Sequence, residues 1–214
     1  RKEKSMRSIP KLDLGKFYHI YNRGNNREDI FVEERNYGYF LDLYAKYIVP
    51  IANTYSYSLL RNHFHFAIRT KTEEEQEDYW KTCEVSKTSQ VFHLKDPSHQ
   101  FANFFNAYAK AINKAYNRTG SLCQERFGRK EIITLPYLLR LIHYIHFNPQ
   151  RHRLAEDFRL YRFSSYQTFL SEKPTQIERS EVLKWFGGRE SFCEFHNSMV
   201  QENDIESLGI DEDF

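Results

Sequence analysis

The chain has 214 residues, with 31 Lys+Arg against 29 Asp+Glu for a net charge of +2. That length favours one domain with room for an appendage. Mean hydropathy is −0.73, yet 18 Phe and 15 Tyr supply enough apolar surface for a core, which excludes wholesale disorder. No apolar run approaches the roughly 18 residues needed to cross a bilayer. No apolar stretch follows the basic start, so a secretory leader is not expected. Cys83, Cys123 and Cys193 are odd in number and widely spaced, the pattern of neither a disulfide framework nor a Cys-type zinc site, and a reducing cytoplasm is the expected location.

In chain order, residues 17–21 are aromatic and β-favouring, and Asn22-Arg23-Gly24-Asn25-Asn26 breaks that strand. Tyr37, Phe40, Leu41, Tyr44 and Ile48 recur at helical spacing, predicting a helix over about 33–48 that Pro50 ends. Strands are predicted over 54–60 and 63–70. Residues 71–99 are polar and read as an irregular loop insertion. A second helix starts near Gln100, with Phe101, Phe104, Phe105, Tyr108 and Ile112 on one stripe and Gly120 as its stop. Residues 129–134 read as a strand. Pro136 opens a third helix expected to finish near Asn148, because Pro149 disfavours the α region for the residue before it. Farther on, Trp185-Phe186-Gly187-Gly188 ends a short helix. The order gives an α+β chain: a ferredoxin-like βαββαβ antiparallel sheet with helices on one face, and a C-terminal helical appendage.

Charge is unevenly spread. Residues 201–214 hold six acids and no base, and without them the balance is +8. Residues 101–153 hold nine bases and two acids, interleaved with aromatics, which points to a polyanionic partner or a solvated helix face.

Two groups carry chemistry. In His63-Phe64-His65, strand alternation sends both imidazoles to one side, where they are a surface pair or chelate one divalent cation. In the third helix, Leu138, Ile142 and Ile145 form the apolar arc. Tyr144 stands off it, in line with Arg140 and Asn148, while His143 and His146 point elsewhere. His19 shares a strand face with Phe17 and Tyr21 and reads as a core-edge residue. A phenol is a poor nucleophile at neutral pH unless its target is polarised, and a divalent ion on two histidines and an oxygen polarises a phosphodiester. Tyrosine attack would conserve the bond energy in a phosphotyrosine, which is strand-transfer logic.

Four ordered blocks then resemble a known group. YSLLRNHFHF (Tyr57 to Phe66) resembles the His-hydrophobic-His strand of the HUH single-strand endonucleases. YHIYNRG (Tyr18 to Gly24), LCQERFGRK (Leu122 to Lys130) and YIHFNP (Tyr144 to Pro149) resemble blocks of the one-tyrosine insertion-sequence-like transposases, above all the REP-associated tyrosine transposases. The resemblance spans about 15–170. It implies a ferredoxin-like catalytic domain over 15–170 (with the polar insertion at about 71–99), a basic arm over 1–14, and an appendage with an acidic tail over 171–214. It implies Mg²⁺ or Mn²⁺ dependence, Tyr144 as nucleophile, and His63, His65 and Asn148 as metal ligands, with Asn22 the alternative third ligand. The expected partner is single-stranded DNA bearing hairpins or repeats, met by Arg23, Arg61, Asn62, Arg126, Arg129, Lys130 and Arg151. The expected activity is cutting and rejoining such DNA. A ferredoxin-like nucleic-acid-binding module without cleavage, or a small metal hydrolase using the two histidines, are the other readings. Both a monomer and a homodimer fit.

Overall fold

The computed structural model describes residues 11–83 and 93–201. The first ten residues of the basic arm and the acidic tail from 202 on lie outside them. Four strands, β1 (Phe17–Arg23), β2 (Ala52–Leu60), β3 (His63–Thr70) and β4 (Gly128–Ile132), form one sheet in the order β2-β3-β1-β4. All neighbours are antiparallel. With α1 (Glu34–Tyr47) between β1 and β2 and α3 (Pro97–Ala115) before β4, this is the ferredoxin-like arrangement.

Strand parity sorts the side chains into two cores. Tyr18, Ile20, Leu59, Phe64, Phe66 and Ile68 pack against Phe40 and Tyr44 of α1 and Phe101, Phe104 and Tyr108 of α3. Asp96 starts α3 by accepting from the His99 N–H at 3.1 Å, with Pro97 in the first turn. The opposite face carries α4 (Leu135–Arg151), whose Leu138, Leu141, Ile142 and Ile145 pack with Tyr55, Ala67 and Ile132. Three C-terminal helices, α5 (Tyr166–Leu170), α6 (Arg179–Phe186) and α7 (Arg189–Gln201), join this second core through Phe169, Val182 and Phe192. The α6 helix stops at Gly187, which sits at φ 84°. Helices therefore cover both faces, and α4 is held between the sheet and the C-terminal helices.

Two expectations need correction. Residues 71–99 are not an irregular loop throughout: Glu73–Cys83 forms α2. Thr72 and Glu75 make a reciprocal cap, the Glu75 carboxylate accepting from the Thr72 N–H (2.8 Å) and the Thr72 hydroxyl from the Glu75 N–H (3.2 Å). The acids Glu73, Glu74 and Glu75 lie in the first turn, where the helix dipole favours them. The α4 helix also does not finish at Asn148; it continues through Pro149 to Arg151. Proline removes one backbone donor, but Asn148 and Pro149 are both buried, and packing holds the residue before proline in the helical region.

A one-way proton chain ties the C-terminal helices to α4. His196 donates from Nδ1 to the Phe192 carbonyl at 2.8 Å. Its Nε2 then accepts from His146 Nδ1 at 3.0 Å, and His146 Nε2 accepts from the Ser165 hydroxyl at 2.9 Å. Ser165 in turn accepts from the Tyr57 N–H of β2 at 2.9 Å. Both histidines are fully buried. His146→Ala leaves His196 Nε2 unpaired beside a cavity, while Ser165 keeps its contacts to the Tyr57 backbone, so an unfolding free energy lower by about 3 kcal/mol is expected in a denaturant titration.

Candidate active site

The face of the sheet beneath α4 holds the histidines. His63 and His65 follow strand alternation on β3, and His19 on β1 projects the same way, diagonal to His65, which pairs with Tyr21. Their rings are buried, and the His63 and His65 centroids lie 5.3 Å apart, nearly perpendicular. Gly128 faces Tyr21 across the β1–β4 ladder, and a Cβ there would come within 2.2 Å of the Tyr21 ring. Glycine thus lets Tyr21 lie over β4, its ring 4.7 Å from that of His19.

From the other side, α4 lowers Tyr144 and, one turn on, Asn148 toward these rings. The Tyr144 ring stands edge-on to His65 at 5.5 Å and to His19 at 6.4 Å, with the Arg151 guanidinium 5.9 Å from its centroid. Asn148 Oδ1 lies 3.5 Å from His63 Nε2. His152 packs against His63 at 4.6 Å.

The hydrogen bonds decide which ring nitrogens carry protons. Asn62 gives its Nδ2 to the Arg27 carbonyl at 3.2 Å, so its Oδ1 faces His63 Nδ1 at 2.7 Å. An amide oxygen only accepts, so His63 Nδ1 donates and Nε2 carries a lone pair. Asn148 likewise turns its Nδ2 toward the Tyr144 carbonyl at 3.5 Å. Two acceptors, His63 Nε2 and Asn148 Oδ1, therefore face each other. Such a pair is repulsive with nothing between and favourable around a cation, so the donor set fits a divalent ion. It comprises two imidazoles and an amide oxygen; among the described residues no group of three or more His, Cys, Asp or Glu is arranged to hold a metal. Burial pushes His63 and His19 down to about 3 and His65 well below its usual value, with the Arg23 charge acting the same way on His63 and His65 and Lys130 on His19. The imidazoles are neutral at pH 7, the form that ligates.

The remaining site residues divide by face. Arg23 pairs in register with His63, and Lys130 with His19, so both belong to the imidazole side. Arg129, one residue before Lys130, projects to the α3 side, its guanidinium 3.8 Å over the Phe127 ring and donating to the Ser98 hydroxyl at 3.3 Å. There it lines a cleft of about 520 Å³ between α3 and the segment before β4, together with Lys110, Asn113 and Arg126. Arg61 pairs with Asp29 at 2.5 Å near the β2–β3 turn. Asn22 has the parity of Ile20, opposite to the imidazoles, and its amide serves the Arg23 N–H and the Gln124 carbonyl, so the structure keeps it apart from His63 and His65. His19 and His152 were not singled out from sequence for this site. The signal available for His19 was its parity with Tyr21 on the strand that flanks β3.

No protein-family model matches the chain, and no curated protein does. Among solved structures, one described as a REP-associated tyrosine transposase bound to a REP hairpin matches with a TM-score of 0.54 and 13% identity, covering 78% of this chain and 88% of that one. At that identity the likeness concerns the fold: the chain shares the α+β fold of a tyrosine transposase. Among the described residues no helix is long and apolar enough to cross a membrane.

Proposed function

We propose that this protein is a metal-dependent strand transferase that cuts and rejoins single-stranded, hairpin-bearing DNA through a covalent 5′-phosphotyrosine at Tyr144. One observation carries the reading: α4 holds Tyr144 edge-on to His65 at 5.5 Å, one turn before an amide oxygen that faces His63. The fold shared with a hairpin-bound tyrosine transposase supports the substrate class. His63, His65 and Asn148 would hold Mg²⁺ or Mn²⁺, which supplies Lewis-acid polarisation of the scissile phosphate. The chain's own part is nucleophile and positioning. Tyr144 Oη forms a bond to phosphorus as the 3′ oxygen leaves, and the proton lost by the phenol balances the one gained by the new 3′ hydroxyl. One phosphodiester replaces another, so the reverse attack rejoins the strand. Arg23, Lys130 and Arg151 on the imidazole side are assigned to phosphates at the site. Arg126 and Arg129 on the cleft side, and Arg61 and Asn62 at the β2–β3 turn, are assigned to more distant DNA. The domain limits 15–170, and a cytoplasmic location, accompany this reading.

Tyr144 is only 2% exposed, an observation that favours the other reading, a nucleic-acid-binding module without cleavage. The deciding experiment incubates the protein with Mn²⁺ and a labelled hairpin oligonucleotide, then denatures it. A covalent adduct mapped to the Tyr144 peptide is expected. Tight binding with no adduct in any metal supports the binding module, and cleavage without an adduct supports a metal hydrolase. His63→Ala is expected to reduce cleavage about 10³-fold while hairpin affinity stays within a few-fold, since phosphate contacts lie elsewhere; parallel kinetics and binding titrations check it.

A further inference from the structure

His63 and His65 differ in how their protonation is set. On His63 the Asn62 amide oxygen can only accept, and the Arg27 carbonyl keeps that amide from turning over. On His65 the partner of Nδ1 is another imidazole, His19 Nε2, at 2.9 Å. An imidazole either gives or takes, so one proton in this contact has two possible owners. If His19 gives it, neutral His65 carries its own proton on Nε2 and offers no lone pair there. If His65 gives it, His65 Nε2 offers a lone pair, and His19 holds its remaining proton on Nδ1. Both rings are fully buried and nearly parallel, meeting nitrogen to nitrogen with centroids 5.2 Å apart at 16°, so neither turns over without disturbing the sheet. This contact bridges residues 46 apart on neighbouring strands, with His65 on the strand that also carries His63.

We infer that His19 is a positioning residue of the cation site: it accepts the proton of His65 Nδ1, which turns His65 Nε2 into a ligand. The inference rests on the cation reading above. His19 itself touches no reacting atom. It acts through His65, as Asn62 acts through His63, so the two ligands share one protonation pattern set by one rigid and one adaptable acceptor.

The full-length protein labelled with ¹⁵N-histidine, saturated with Mg²⁺, is expected to show His65 protonated on Nδ1 and His19 protonated on Nδ1 in long-range imidazole ¹⁵N–¹H spectra. His19→Phe, of similar volume but with no acceptor, is expected to weaken Mn²⁺ binding in calorimetry by about 10- to 100-fold, and His19→Gln to restore part of the loss. His65 protonated on Nε2 in the Mg²⁺-saturated protein overturns the inference. So does a folded His19→Phe protein that binds Mn²⁺ as the parent does. Should the variant not fold, the spectrum of the parent decides. A parent protein that gives neither binding heat nor a Mg²⁺-induced shift removes the cation reading itself, and this inference with it.

Discussion

Tyr144→Phe is expected to eliminate the covalent protein–DNA adduct and to lower cleavage by at least about 10⁴-fold, with hairpin affinity unchanged within two- to three-fold. The substitution removes one oxygen and keeps the ring that packs edge-on against His65 and His19. Ring volume is conserved in a buried position, so stability should move by less than about 1.5 kcal/mol. An effect on the adduct is then an effect on chemistry. Fourteen other tyrosines supply an internal control, since Tyr108, on the α3 stripe with its hydroxyl donating to the Ile30 carbonyl at 2.7 Å, is committed to packing. Gel analysis of denatured reactions with Tyr144→Phe and Tyr108→Phe side by side separates the two. Adduct formation that survives Tyr144→Phe would sink the assignment of the nucleophile.

The second large effect is acid lability. Six histidines (His19, His63, His65, His143, His146 and His196) are buried and held neutral, with desolvation lowering every one: His19, His63 and His196 to about 3, His143 to about 4, and His65 and His146 well below the ordinary value. Because the folded values lie below the unfolded value of about 6.5, the unfolded chain binds protons that the folded chain refuses. Their contribution is fully present above pH 6.5 and is lost as pH falls toward 3. Each group costs about 1.4 kcal/mol per pH unit below 6.5, so six together cost on the order of 8, comparable with the whole stability of a domain. A cooperative unfolding with a midpoint at roughly pH 5 is expected by circular dichroism. An unfolding free energy that stays flat between pH 7 and pH 5.5 would contradict it.

Much of the site was legible because it follows local periodicity. Period 2 in β3 put His63 and His65 on one face, and the apolar arc of α4 set Tyr144 and Asn148 apart from Leu138 and Ile142. The strand and helix order needed only turn residues and apolar stripes, and the structure agrees with it apart from the added α2. What escaped depends on register between distant segments. The His19–His65 contact spans 46 residues and the His146–His196 contact 50, and neither spacing is encoded in a local pattern. Asn62 read as a turn residue or a DNA contact, and no local pattern showed that its amide also faces His63 Nδ1. The acids at 73–78 resembled a solvated insertion, although Thr72 and Glu75 already held the reciprocal spacing of a helix start. The α4 helix outlasted Pro149 because burial from two sides, invisible in a single segment, outweighed a backbone preference.

Arg129 and Lys130 are consecutive, yet β4 turns one toward the α3 cleft and the other toward the imidazoles. A nucleic acid that meets both must bend around the rim of the sheet within a few nucleotides. A single strand makes that bend readily. A duplex, stiff over roughly 150 base pairs, bends that sharply only at a cost on the order of several kcal/mol. On the proposed reading, the alternation of one edge strand would then sort polyanions by stiffness where charge alone would admit them all.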